Sequence, residues 1–293
     1  MTNRTTEHGD GQRRRPLLVG YDGSAASESA MGWALAEAAR RAASITVIES
    51  WHEPLISEKT WHERWDDPNA EELERAAALK GAVRAAAVAH PALVWESHVT
   101  GEAPDVALLG RAEDHELVVV GTRGRGGATG LRIGSVAERV VGASPTTVVV
   151  VPAEEPAGSG IVVGVDGSAS SRRALRWAAT EGQLRAVPVR AVLAWTDLTP
   201  VGRHGLKPLS AGMTPAEERI TLHQIIAEEI GADAAPELAA EVAYGAAASV
   251  LQEAADGAEL LVIGAPVGSG RPHLSSLAKA VLRHGACPVA VVR

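Results

Sequence analysis

The sequence has no phenylalanine, two tyrosines and one cysteine in 293 residues. Without phenylalanine, the core must rest on Val, Leu, Ile and Ala, with a few tryptophans in support. A single cysteine, Cys287, excludes an internal disulfide framework and a Cys-based zinc site. A positive excess is missing too: 28 Lys and Arg stand against 36 Asp and Glu, a formal net charge of −8. That balance argues against nonspecific nucleic-acid binding, which needs cationic patches to displace counterions. No apolar run reaches the roughly 18 residues of a membrane span. Met1 to Arg15 lacks the apolar stretch of a signal peptide. The expectation is a soluble cytoplasmic protein that binds neither nucleic acid nor membrane.

What is present is enough to fold. At 46% hydrophobic and 22% charged, the chain can bury a real core. Its length suits about two domains. A repeat supports that division. Val19-Gly20-Tyr21-Asp22-Gly23-Ser24-Ala25 returns as Val163-Gly164-Val165-Asp166-Gly167-Ser168-Ala169, 144 positions later. Trp33 and Trp177, Trp51 and Trp195, and Gly101 and Gly245 keep the same offset, and Glu116 to Gly121 matches Glu259 to Gly264 at 143. A Pro-, Gly- and charge-rich junction reads as a linker. The expected organisation is a disordered tail over 1–14, a first domain over 15–152, a linker over 153–159 and a second domain over 160–293.

Each half alternates strand and helix signals. In the first, Pro16 to Tyr21, Ile45 to Trp51, Leu93 to Thr100, Glu116 to Gly121 and Thr146 to Val151 read as strands. Ser24 is placed to cap a helix whose Ala30, Trp33, Ala34 and Glu37 fall at helical spacing. Asp66 to His90 is an alanine-rich helix pattern, Pro104 sits near another helix start, and Ser135 opens a further one. Such a series folds into a mostly parallel five-stranded sheet with helices on both faces, an α/β doubly wound domain occurring twice. Ligands of these sheets lie beyond the carboxyl ends of the strands, where strand order reverses. That rule singles out the loops after the first and fourth strands.

The loop after the fourth strand runs from Gly121 to Ser135 and holds glycines 121, 124, 126, 127, 130 and 134. Glycine lets backbone amides approach an anion, and the helix start at Gly134-Ser135 adds N–H groups and a dipole that favour phosphate. Arg123, Arg125 and Arg132 put three cations into one short loop of an acidic chain. The spacing Gly121-x2-Gly124-x9-Gly134-Ser135 resembles the ATP-binding signature of the universal stress protein family. Asp22, the Trp51 strand and the Gly101 turn fit the same pattern, across nearly the whole chain outside the tail. The resemblance implies a strand order of 3-2-1-4-5 in each domain and ATP, with or without Mg2+, as ligand. It implies that Gly20, Asp22 and Ser50 line the adenosine pocket, and that Val120, Gly121, Arg123, Gly124, Gly134, Ser135 and Val136 hold ribose and phosphates. By itself, Asp22 reads equally as the turn residue of Asp-Gly-Ser.

The second copy departs from this pattern. Val267 stands where the second glycine belongs, and the segment from Gly264 to Ser276 is two residues shorter than its counterpart. Ser275 replaces the glycine before the serine, and Pro266 and Pro272 each remove an amide donor. The expectation is one nucleotide site per chain, in the first copy.

Other chemistry fits less well. No glycine fingerprint follows the first strand, and no Gly-x4-Gly-Lys-Ser/Thr string exists. Trp51-His52-Glu53 and Trp61-His62-Glu63 lack a helical two-His spacing and read as solvated loop residues. Cys287, just before Pro288, reads as a packing residue. Three functions stay open: a nucleotide-dependent regulatory switch with an unknown protein partner, a slow ATPase assisted by Asp22 or Arg123, and a scaffold without nucleotide. The family also dimerises through its last strand. In a tandem chain this implies that Thr146 to Val151 pairs antiparallel with Val289 to Val292 as an internal pseudo-dimer. Association of two whole chains stays open.

Overall fold

Side chains along the strands divide by parity. Leu17 and Val19 of β1 (Leu17–Tyr21) join one core layer and Leu18 the other. On β4 (Leu117–Gly121), Leu117 and Val119 oppose Val118 and Val120 in the same way. Strands that are apolar on both faces must be covered on both faces. A computed structural model describes residues 15–51, 68–124, 133–154, 158–196, 198–201, 205–208, 214–231, 238–266 and 274–293. The tail over 1–14 and residues 155–157 of the expected linker lie outside them.

Besides β1 and β4, the first repeat contains β2 (Ile45–Ser50), β3 (Trp95–Thr100) and β5 (Thr147–Val151). Its helices are α1 (Ala25–Arg41), α2 (Pro68–Ala86), α3 (Pro104–Leu109) and α4 (Ser135–Ala143). The second repeat runs β6 (Ile161–Gly164), α5 (Ala169–Arg185), β7 (Val189–Trp195), β8 (Leu198–Val201), β9 (Gly205–Pro208), α6 (Pro215–Ile230), β10 (Ala239–Tyr244), α7 (Ala247–Ala254), β11 (Leu260–Gly264), α8 (Ser276–His284) and β12 (Val289–Val292). The cap reading for Ser24 holds and the second copy repeats it: the Ser24 hydroxyl accepts from the Ser27 amide and the Ser168 hydroxyl from the Ser171 amide, each at 3.2 Å. The helix read over Asp66 to His90 is described over Pro68–Ala86, and Ala87–Ala89 then tighten into a 3-10 turn, a common way to finish a helix.

Within each repeat the strands follow the expected 3-2-1-4-5 order, all parallel. The antiparallel pairing expected between the two last strands joins the two sheets into a single ten-stranded one, β10-β7-β6-β11-β12-β5-β4-β1-β2-β3. The seam is the antiparallel pair of β5 and β12, with Val150 opposite Val289, Val149 opposite Ala290 and Val148 opposite Val291. Each repeat thereby covers the other's exposed edge. The antiparallel hairpin of β8 and β9 stands apart from this sheet and was not foreseen from the strand and helix signals.

Both core layers continue across the seam. Val149 and Val151 share a layer with Ala290 and Val292, and Val148 and Val150 share the other with Val289 and Val291. Where α1 meets α5 the interface is ionic and nearly two-fold symmetric. Arg41 donates to Glu37 at 2.6 Å and also binds Glu116 and, across the seam, Glu181. Arg185 likewise binds Glu181 at 3.2 Å, Glu259 at 3.1 Å and, across the seam, Glu37 at 2.5 Å. Both guanidiniums are 4% exposed and the two facing carboxylates no more than 1%. The Arg185 guanidinium also lies over the Trp33 ring, 5.1 Å from its centroid. Burial, and then the charge of Glu37, pushes the Glu181 carboxyl up to about 7 against the pull of Arg41 and Arg185. For Glu37, burial raises the carboxyl, but the charges of Arg185 and Arg41 together outweigh it and hold it below the ordinary range. Of the two facing carboxyls, burial beside Glu37 thus makes Glu181 the easier to protonate. Among the described residues, no helix is long and apolar enough to cross a membrane.

Candidate functional site

The chain leaves β1 toward one face of the sheet and β4 toward the other. α1 buries Ala30, Ala34 and Ala38 in one core layer, whereas α4 buries Ala137, Val140 and Val141 in the other. The strand ends between them diverge into a crevice, the expected ligand position. A cavity of about 670 Å3 opens there. It gathers Gly20 and Asp22 from the end of β1, Ser50 from β2, Val120 and Gly121 from β4, Arg123 and Gly124 from the following turn, and Gly134, Ser135 and Val136 from the start of α4. All the residues named for this site in the sequence thus line one space. Arg125 and Arg132 of the same loop lie outside the described residues.

The local geometry explains several of these residue types. Asp22 is indeed a turn residue, since its Oδ1 accepts from the Ser24 amide at 3.0 Å and Gly23 follows at φ 72°. It also faces the cavity, and a Cβ built on Gly124 would lie 2.3 Å from Asp22 Oδ2. A side chain at 124 would displace the Asp22 carboxylate from this position. At Gly121 a Cβ would meet the Ala26 backbone at 2.7 Å, and at Gly264 the Ser170 backbone at 2.3 Å. This glycine is therefore required in both repeats by the close approach of a strand end to a helix start. Its survival in the second copy follows from packing. Ser24 Oγ donates to the Arg123 carbonyl at 3.1 Å and ties the turn after β4 to the start of α1.

The decisive contrast lies at the helix starts. In α4 the N-cap is Gly134, with φ −78° and ψ 156°, and no side chain caps the first-turn amides. In α8 the N-cap is Ser275, whose hydroxyl accepts from the Ala278 amide at 3.1 Å. A helix start leaves amides in need of an acceptor. The second repeat supplies one from its own chain, whereas in the first Gly134 has no side chain to offer, and Gly134, Ser135 and Val136 line the cavity. The two residues that follow β11 are also held by hydrogen bonds. Arg173 Nη2 donates to the Ala265 carbonyl at 3.1 Å and Arg293 Nη1 to the Pro266 carbonyl at 3.2 Å. Beside it, a Cβ on Gly164 would meet Leu251 at 2.8 Å. Val267 and Pro272 lie outside the described residues.

Glu49, Arg75, Asp105 and Arg139 also line the cavity and were not picked out from the sequence. Glu49 and Arg75 approach at 3.6 Å, and Arg139 Nε binds Asp105 Oδ2 at 2.7 Å. One signal was available: Arg139 follows Ser135 by four residues, which places both on one face of a helix. Elsewhere, among the described residues no three His, Cys, Asp or Glu side chains gather as a metal site. His52, Glu53, His62 and Glu63 lie outside the described residues. Cys287 is buried, and that burial pushes its thiol up to about 11, as suits a packing residue.

A model described as the universal stress protein family matches residues 13–152 and again 160–293. The chain belongs to that family. Among its relatives, a universal stress protein of Mycobacterium tuberculosis and one of Mycobacterium bovis are each 28% identical over 304 residues, covering 94% of this chain and 94% of their own. A universal stress protein of Mycolicibacterium smegmatis is 37% identical over 152 residues, 49% of each chain. The crystal structure of a universal stress protein from Archaeoglobus fulgidus superimposes with a TM-score of 0.62 at 17% identity, covering 95% of this chain and 98% of that one, so the two share a fold. The tandem arrangement of two universal-stress-type repeats in one sheet is therefore the architecture of this family member.

Proposed function

We propose that the first repeat binds an adenine nucleotide, with ATP as the principal ligand, and that the protein acts in the cytoplasm as a nucleotide-dependent switch in a stress response. The observation that carries this reading is the start of α4, where Gly134 offers no side-chain cap and Gly134, Ser135 and Val136 line a cavity of about 670 Å3. Phosphate is the acceptor best matched to such amides and to the dipole behind them. Gly124 and Arg123 extend the anion-binding wall, and Asp22 and Ser50 offer oxygens to ribose hydroxyls or an amine. The donor set thus fits a nucleotide. Mg2+ would arrive with the phosphates, since it needs only one or two protein carboxylates beside them. The second repeat serves as a permanent structural partner, its corresponding helix start being satisfied by Ser275.

Calorimetric titration with ATP tests this reading. One site per chain is expected; two equivalent sites, or none at saturating nucleotide, would overturn it. Incubation with ATP and Mg2+ separates a switch from a slow ATPase. Repeated turnover abolished by Asp22→Ala would replace the binding-only reading with an enzymatic one.

A further inference from the structure

We propose that the Asp105–Arg139 pair is a charge-exchange clasp at the rim of the cavity. It passes the Arg139 guanidinium from Asp105 to the outermost phosphate of a bound nucleotide, so that the first repeat discriminates ligands by phosphate number. The proposal rests on the nucleotide reading above and assigns to it a residue outside the glycine loop.

Asp105 lies in the first turn of α3 and Arg139 one turn beyond Ser135 on α4, so the pair spans the two helices that wall the cavity. Two guanidinium nitrogens engage the two carboxylate oxygens, Nε to Oδ2 at 2.7 Å and Nη2 to Oδ1 at 3.4 Å. This fork geometry suits a phosphate equally well. The Arg139 side chain is 54% exposed and that of Asp105 17%, so the guanidinium can move without unburying itself.

The second repeat supplies an internal control. Counting from Leu108 and Leu251, which cover equivalent glycines, Asp105 corresponds to Ala248. Counting from Ser135 and Ser276, Arg139 corresponds to Ala280. There α7 and α8 share a core layer through Val250, Leu251, Ala278 and Val281 with no such pair. Packing two helices at this position therefore does not require the ions. The pair accompanies the repeat whose helix start is uncapped and is missing where Ser275 caps it.

The exchange is favoured by charge: a terminal phosphate carries more negative charge than the Asp105 carboxylate, and an ion pair this exposed shifts an equilibrium by no more than about fivefold, so little holds Arg139 back. AMP, whose single phosphate is taken by the α4 amides, leaves Arg139 on Asp105. ADP and ATP carry the further phosphates assigned to Arg139, which lines the same cavity as Ser135 and Val136.

The test is calorimetric titration of the full chain with AMP, ADP and ATP at fixed salt, with Arg139→Gln, Asp105→Asn and the double variant. Arg139→Gln is expected to cut the ATP-to-AMP affinity ratio about tenfold while leaving AMP within twofold. Asp105→Asn is expected to raise ATP affinity by up to about fivefold, a gain that disappears in the Gln background. Equal weakening of all three nucleotides, an unchanged ratio, or a gain from Asp105→Asn that persists without Arg139 would each overturn the clasp and leave the nucleotide site standing. If the native protein bound none of the three, the site reading would fail and the clasp with it. Melting temperatures of the variants within about 2 °C of native would exclude a merely structural effect.

Discussion

Gly134→Asp sets stability and binding in opposition. Gly134 already has the extended backbone of an N-cap, with φ −78° and ψ 156°. A Cβ added there would lie 3.5 Å from Arg123 Cα and the Thr122 carbonyl, an ordinary contact. Aspartate should therefore fit and accept from the first-turn amides of α4, as Ser275 does in α8. Replacing a glycine cap contributes a few tenths of a kcal/mol, and a carboxylate at the positive end of a helix adds about 0.3–1 kcal/mol. The variant should melt about 1–3 °C higher by calorimetry. In the same protein the carboxylate occupies the amides assigned to phosphate. Losing one charge-assisted hydrogen bond costs about 1.5–3 kcal/mol, so ATP affinity should fall at least about tenfold in isothermal titration. A variant as stable as expected that binds ATP like the native protein would refute the assignment of phosphate to α4. A variant destabilised by more than about 1 kcal/mol would refute the account of the cap.

Two further predictions concern the seam. Arg41→Met leaves Glu37 and Glu181 buried with one guanidinium instead of two. It should destabilise the chain by about 3–5 kcal/mol in urea unfolding, and a loss below about 1 kcal/mol would contradict a buried network. Glu181 is raised in the folded state, so its contribution to stability is present below about pH 4.5 and is lost as pH rises through about 7. Unfolding followed from pH 4.5 to 8 should show Glu181→Gln flattening that decline, by an amount on the order of 1–3 kcal/mol. A decline equally steep in both proteins would place the titrating group elsewhere.

The site was legible because its parts are local in sequence. Glycines at fixed spacing before a helix start, and an Asp-Gly-Ser turn after an apolar strand, announce their backbone geometry wherever they occur. The difference between the two helix starts was legible for the same reason, since Ser275 in place of glycine carries its own capping group. Glu49, Arg75 and Asp105 escaped notice because each is an ordinary charged residue in its own segment. They become cavity residues only when β2, α2 and α3 converge on the end of β1. Gly121 was read for its amide, whereas the folded chain shows a second demand, the 2.7 Å approach to Ala26.

The sequence by itself determined the repeat, the alternation of strands and helices, and which copy presents an uncapped helix start, because these depend on residues near one another along the chain. The tertiary structure alone decided that Glu37, Arg41, Glu181 and Arg185 form one buried cluster. On helical spacing Glu37 falls on the inward stripe of α1 with Arg41 one turn on as its only buried local partner. Its second neutralising charge, Arg185, lies 148 residues away and arrives only when β5 and β12 pair and bring α1 against α5.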